Sequence, residues 1–196
     1  MEDRDIIERV LDGDSDAFSL LVEKYQTKVY NLALRMSGNE DDAFDLAQDS
    51  FVRAWRNLGS FQFESSFSTW LFRLTSNICL DFLRAKKRRA AVSLTVTDEE
   101  DEESQLAVPD PGKTPEEAVI AAEDRALLTR ALNELPADQR QILTLRAIDD
   151  LSYAEIAEIL HLQEGTVKSR LSRARTALRN KLLQIGNKSV STSSVN

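Results

Sequence analysis

Two clusters of cationic side chains carry the chemistry open to this chain, and that chemistry is holding phosphates and bases rather than making bonds. Lys168, Ser169, Arg170, Ser172, Arg173 and Arg175 are spaced to form one helix face, opposite Val167, Leu171, Ala174 and Leu178. Arg84, Lys86, Lys87, Arg88 and Arg89 form a second basic island. Upstream of it, Trp70, Phe72, Arg73 and Asn77 set aromatic, cationic and amide groups side by side. That mixture suits a single nucleic-acid strand: cations track phosphates, aromatic faces stack bases and amides read exposed edges. Aromatics on a helix more often end in a core, so the basic run is the firmer sign of phosphate contact.

Catalytic sets are missing from the pattern. The chain has one Cys and one His, which rules out a Cys/His zinc site and an intrachain disulfide. No Gly-rich phosphate loop and no nucleophile–base pair can be picked out. Cys79 lies within a helical apolar period and reads as packing. The expectation is a binding protein rather than an enzyme, with no cofactor, metal or small-molecule substrate.

The elements that position these groups read as helices throughout. Helix formers dominate, Gly and Pro are few, and alternating Val/Ile/Thr strands are absent, so an all-α chain is expected. Ser152 with Glu155 forms a capping box for a short helix carrying Ile156, Ala157, Ile159 and Leu160 inward. His161 to Glu164 breaks the period, and Gly165-Thr166 opens the basic helix. A small residue at the crossing, a tight turn and a polar cluster early in the second helix make a helix-turn-helix of winged-helix-like type. Such a unit lays its second helix in the major groove of a duplex.

Earlier in the chain, Ile6, Ile7, Val10 and Leu11 predict a first helix stopped by Gly13. Phe18, Leu21, Val22, Tyr25, Val29, Leu32 and Met36 predict a second, capped by Asp14 or Ser15 and ended at Ser37-Gly38-Asn39. A third helix from about Glu40 to Leu58 turns Ala43, Leu46, Ala47, Phe51, Ala54 and Trp55 inward, with Asp42, Asp45, Gln48, Asp49, Arg53 and Arg56 outward. After an aromatic loop, Phe67 starts a fourth helix reaching about Arg89, lined by Leu71, Leu74, Ile78, Phe82 and Leu83. Thr114-Pro115-Glu116-Glu117 starts another, closed by Leu135-Pro136, and Asp138 begins the helix that leads to the helix-turn-helix.

Charge divides the chain. The net charge is −8, yet the cations gather in the two islands while Asp98 to Glu103 is a continuous acidic run followed by Pro109, Pro111, Gly112 and Pro115. An acidic protein with two basic islands suggests local nucleic-acid contacts and a separate surface for another partner. The organisation read from this is a domain over 1–90, a flexible acidic linker over 91–114, a second domain over 115–184 and a disordered tail over 185–196. The acidic run is either a spacer or a mimic of nucleic acid that occupies a basic channel. The N-terminus lacks an apolar signal core and no apolar run nears membrane-spanning length, so a soluble cytoplasmic protein is expected.

With both halves in view, the chain resembles bacterial RNA polymerase sigma factors of the sigma-70 family, extracytoplasmic-function group. The resemblance rests on DAFSLLVEKY, DLAQDSFVRAWRNLGSF and FSTWLFRLTSNICLDFLRAKKRR in the first half. In the second it rests on LPADQRQILTLRAIDDLSYAEIAEILHLQEGTVKSRLSRARTAL. It implies that the first domain is region 2, whose third helix binds the β′ coiled coil of core polymerase through Asp45, Gln48, Asp49, Phe51 and Arg53. It implies minus-ten recognition and melting by Trp70, Arg73, Asn77, Arg84, Lys86, Lys87, Arg88 and Arg89. The second domain would be region 4, with Thr166, Lys168, Ser169, Arg170, Ser172 and Arg173 on the minus-thirty-five duplex. Core polymerase (its β′ and β subunits), promoter DNA and an anti-sigma factor are the implied partners.

Three positions depart from the family pattern. Phe44 stands where an acidic residue is usual, Gln62-Phe63 replaces Arg-Gly after the loop phenylalanine, and His161 takes a turn position often held by Gly or Asn. Two rivals remain on the residues alone. One is a stand-alone helix-turn-helix regulator, and the other is an interaction protein that sequesters polymerase or a sigma factor.

Overall fold

A computed structural model describes residues 2–93, 115–148 and 151–193. Of the expected linker over 91–114, residues 91–93 belong to the last helix of the first half, while 94–114, with the acidic run, and the last residues 194–196 lie outside the described residues. Eight α-helices follow in order: α1 Asp3–Leu11, α2 Phe18–Ser37, α3 Glu40–Asn57, α4 Phe67–Ser93, α5 Pro115–Asn133, α6 Ala137–Arg146, α7 Tyr153–Leu160 and α8 Glu164–Ser193. Short 3-10 turns at Ser15–Ala17 and Leu58–Ser60 join the early ones. The described residues contain no strand, in keeping with the all-α expectation.

Local chemistry sets the boundaries. The Asp14 side chain accepts from the Ala17 amide at 3.3 Å and so caps the 3-10 turn Ser15–Ala17 rather than α2, whose own N-cap, Ala17, makes no side-chain bond. Gly38 ends α2 at φ 74°, its amide donating to the Leu34 carbonyl at 2.8 Å. Asn39 then caps α3 by accepting from the Asp42 amide at 2.9 Å. In the first half α2 packs on α3 and α4, burying Leu21, Leu32 and Met36 completely. Each such side chain contributes roughly 2 kcal/mol of burial.

Two expectations are corrected. Trp55 does not turn inward; it is 41% exposed and touches Phe18 edge-on with ring centroids 5.0 Å apart. Ala54 at the next position takes the buried place instead, because a rotation of 100° per residue lets only one of two neighbours face α2 fully. Of the tail expected to be disordered over 185–196, the described part up to Ser193 continues α8 as helix. Gly186 alone does not stop it: Gly ends a helix reliably only when it takes the left-handed conformation, and here it does not.

The two halves also close on each other. α2 packs on α5 and α6, and α4 packs on α6 and α7. The buried apolar side chains of both halves form one continuous core, from Ile6 to Ala174. Among the described residues, polar contacts cross the junction at four places. Arg140 donates to the Met36 carbonyl at 2.7 Å and to the Asn133 carbonyl of its own half at 2.5 Å. Gln141 donates to the Ser76 hydroxyl at 2.7 Å, Arg35 donates to the Ala147 carbonyl at 3.1 Å, and Arg73 pairs with Glu158 at 2.9 Å. Arg140 is only 6% exposed, and among the described residues its partners are two carbonyls rather than a carboxylate. Its guanidinium instead sits at the C-terminal ends of α2 and α5, where unsatisfied carbonyls and the negative end of each helix dipole favour a cation. Burial draws its pKa below the ordinary arginine value.

Candidate nucleic-acid interface

The duplex-reading candidate is built from α6, α7 and α8. Ser152 accepts from the Glu155 amide at 3.1 Å, and the Glu155 carboxylate accepts from the Ser152 amide at 2.8 Å, so the expected capping box fixes the start of α7. His161 ends α7 at φ 52°, and the Leu162 amide donates back to the Ala157 carbonyl at 2.8 Å. A left-handed residue is needed there to turn the chain sharply, and His adopts it at some cost relative to Gly. Val167, Leu171 and Ala174 then lock α8 into the core.

This leaves Lys168, Ser169, Arg170, Ser172 and Arg173 exposed along one side of α8, with Thr166 half-buried at its start. Arg170 and Arg173 line a cleft of about 240 Å³ together with Asp138, Gln139 and Ile142 of α6. Lys168 pairs with Glu164 at 2.9 Å and lies 5.5 Å over the Tyr153 ring. The Arg146 guanidinium lies 5.4 Å from the same ring. Tyr153 therefore gathers two cations at the base of the recognition helix. Sequence reasoning missed Arg146 and Tyr153, because neither belongs to the α8 pattern that drew attention to the site.

The single-strand candidate lies on α4. Spacings of three, four and seven residues set Trp70, Arg73, Asn77 and Arg84 on one helix face. Trp70 is half-buried against Phe61 and Phe67, with ring centroids 5.3 and 5.7 Å away, so one part of its indole remains open. Phe72 is core, at 2% exposure. Asn77 is exposed, and Arg84 is exposed beside Asp81 at 3.3 Å. Lys87, Arg88 and Arg89 are exposed at the end of the helix. Two expected members are engaged elsewhere: Lys86 reaches back to Asp42 of α3 at 3.4 Å, and Arg73 is held by Glu158 of α7. In the loop before α4, Phe63 takes φ 55° and stacks between Phe61 at 4.8 Å and the Arg4 guanidinium at 4.8 Å.

The expected polymerase-facing helix, α3, differs in character from its charge pattern. Asp45, Gln48 and Arg53 are exposed, Asp49 and Phe51 are half-buried, and Asp49 pairs with Arg53 at 2.8 Å. Beside them runs an apolar strip of Phe44, Val52 and Trp55, exposed by 64%, 40% and 41%. Positions 44, 48, 52 and 55 share one face at helical spacing. Large apolar side chains left in water on one helix face mark a surface for another protein. The signal in the sequence was Phe44, an aromatic where an acidic residue is usual.

Reactive chemistry finds little footing. Burial pushes the Cys79 thiol up to about 12, so it stays protonated at neutral pH. Among the described residues no group of three or more His, Cys, Asp or Glu side chains could hold a metal ion. No helix among them is long and apolar enough to cross a membrane.

Both halves of the chain match known families. Residues 21–89 match the family model "Sigma-70 region 2" and residues 125–178 match "Sigma-70, region 4". The ECF RNA polymerase sigma factor SigW of Bacillus subtilis is 39% identical over 90% of this chain and 94% of its own length. The ECF RNA polymerase sigma-E factor of Escherichia coli is 40% identical over 93% and 95%. Among solved structures, the sigma factor RpoE of Bartonella quintana, in complex with the anti-sigma factor NepR, is 30% identical with a TM-score of 0.66, covering 86% of this chain and 97% of its own. CnrH in complex with the cytosolic domain of CnrY is 26% identical with a TM-score of 0.65, covering 92% and 96%.

Proposed function

Because this chain belongs to the sigma-70 family, in its extracytoplasmic-function group, and so directs transcription initiation, we propose that it grips promoters at two points through the surfaces described above. Lys168, Ser169, Arg170, Ser172 and Arg173, with Thr166 at the helix start, read the minus-thirty-five duplex from the major groove. Trp70, Asn77, Arg84, Lys87, Arg88 and Arg89 hold the minus-ten single strand, joined by Arg73 and Lys86 once their present partners release them. The observation that supports this reading is the presence in one chain of an exposed basic helix closing a helix-turn-helix and a separate helix face combining indole, amide and guanidinium.

The α3 face with Asp45, Gln48, Asp49, Phe51 and Arg53 docks on the β′ coiled coil of core polymerase. Phe44, Val52 and Trp55 supply its apolar contact. Nucleotide addition is left to the polymerase, and this chain contributes specificity in the cytoplasm. An anti-sigma factor is a further partner; a sigma factor of similar fold is seen bound to one.

Unstacking a base step costs a few kcal/mol, which the isolated chain cannot offset. Run-off transcription with purified core polymerase tests the reading. Initiation from a cognate promoter occurs only when this protein is added, and the protein alone opens no duplex. Tight operator binding with no effect on the polymerase would establish a stand-alone regulator instead.

A further inference from the structure

Phe63 holds a backbone conformation that its side chain does not favour, and the residues that impose it bring a further cation to the single-strand face. At φ 55° it lies in the left-handed region, which a bulky side chain enters only when its surroundings demand it. Two neighbours do so. Phe61 packs against the ring with centroids 4.8 Å apart at 52°, and the Arg4 guanidinium lies 4.8 Å over it. So engaged, Phe63 is a poor platform for a base, and what it presents outward is the guanidinium.

The helix that carries Arg4 is firmly placed. Ile6 and Ile7, 3% and 0% exposed, root α1 in the core, and the neighbouring Asp3 accepts from the Tyr25 hydroxyl and pairs with Lys24. Tyr25 packs on Phe67, Phe67 on Phe61 and Trp70, and Phe61 on Phe63 and Trp70. Asp3 and Arg4 thus grasp one aromatic cluster at two of its members, and the same cluster carries the half-buried indole of Trp70. Contacts of 4.8, 4.8 and 5.3 Å lead from Arg4 through Phe63 and Phe61 to Trp70, so the cation lies within the span of a few nucleotides from the indole. Stacking uses the flat face of a guanidinium and leaves the N–H donors at its edge for another partner. The Arg4 pair with Glu8 is long, at 3.8 Å, and the two side chains are 63% and 61% exposed. A planar cation with an open edge, oriented by a ring, fits a phosphate, whose oxygens accept two parallel N–H bonds.

We propose that Arg4, oriented by Phe63, is a phosphate-binding residue of the single-strand site and holds the backbone of the strand whose unstacked base meets Trp70. It acts from α1, whereas the other cations of that site all lie on α4. The strand is therefore held from two elements rather than along one helix, which fixes its path past the indole as well as its distance from α4. The Phe63 ring restricts the guanidinium before the strand arrives, so less rotamer freedom is lost on binding than for an unsupported surface arginine. The proposal rests on the single-strand reading of α4, and its test separates the two.

The measurement is the affinity of the holoenzyme for a promoter fragment that supports run-off, its non-template strand left single across the minus-ten element, over a range of potassium chloride concentrations. Arg4→Ala lowers affinity about three- to tenfold and flattens the logarithmic salt slope by about 0.7, the share of one single-strand phosphate. Arg4→Lys keeps the slope, because the charge remains, but recovers only part of the affinity, because an ammonium lacks the planar fork. Phe63→Gly preserves the turn, since glycine takes a positive φ freely, and loses affinity by removing the ring under Arg4. Replacing phosphates one at a time by uncharged methylphosphonates locates the contact. One linkage costs the wild type as much as Arg4→Ala does, and costs the Arg4→Ala protein nothing further. Equal losses for both proteins at every linkage overturn the proposal, as does an unchanged salt slope for Arg4→Ala. Trp70→Ala is the reference. If it weakens binding while Arg4→Ala does not, only the phosphate contact falls; if neither weakens binding, the single-strand reading falls with it.

Discussion

Arg173 decides more than its position on α8 alone implies. Its side chain is exposed, and with Arg170 it lines the cleft against α6. A guanidinium there can donate two parallel hydrogen bonds to a guanine edge in the major groove. Replacing it by alanine is expected to cost about 1–3 kcal/mol of base discrimination while leaving the fold intact. Quantitative binding of the polymerase complex to promoters varied at each minus-thirty-five position measures this; uniform weakening at every sequence would reassign Arg173 to phosphate contact. Glu155 and Ser152 illustrate the opposite kind of residue, whose role was legible from spacing alone because a capping box closes within one helical turn.

At the scale of the element, α3 is the most informative helix. Its inner face was readable: Ala43, Leu46, Ala47 and Ala54 are buried as their period requires. Its outer face carries Asp45, Gln48, Arg53 and Arg56 as expected, and beside them Phe44, Val52 and Trp55, of which only Trp55 was expected inward. Phe44 is 64% exposed, so its truncation removes little packing. Phe44→Ala is therefore expected to change thermal stability by less than about 0.5 kcal/mol. It should nevertheless weaken holoenzyme formation by about 1–2 kcal/mol, as loss of an aromatic anchor does. Fluorescence titration of labelled protein with core polymerase reads this directly. Unchanged affinity would move the docking surface off this strip. Lys86 marks another limit at this scale: it belongs to a basic run, yet the turn of α4 carries it to Asp42 on α3.

At the scale of the whole molecule, a single apolar core runs through both halves among the described residues. Calorimetry of the wild-type chain is accordingly expected to give one cooperative transition, in which both halves melt together. A combined Glu158→Arg and Gln141→Ala variant should resolve two transitions, since each half then unfolds on its own. One transition retained in that variant would mean that the shared apolar contacts alone couple the halves.

What the sequence determined by itself was local or periodic: the helices, the capping box of α7, the helix-turn-helix, the cationic character of both basic surfaces and the family. Each depends on residues within a turn or two of one another, or on which side of a helix is apolar. What tertiary structure decided was which neighbour covers each side. Arg73 meets Glu158 across 85 positions, and Arg140 meets the Met36 carbonyl across 104. No periodicity records such pairings, because the same arginine on the same face serves a phosphate or a glutamate equally well. Only the approach of the second half to the first makes that choice.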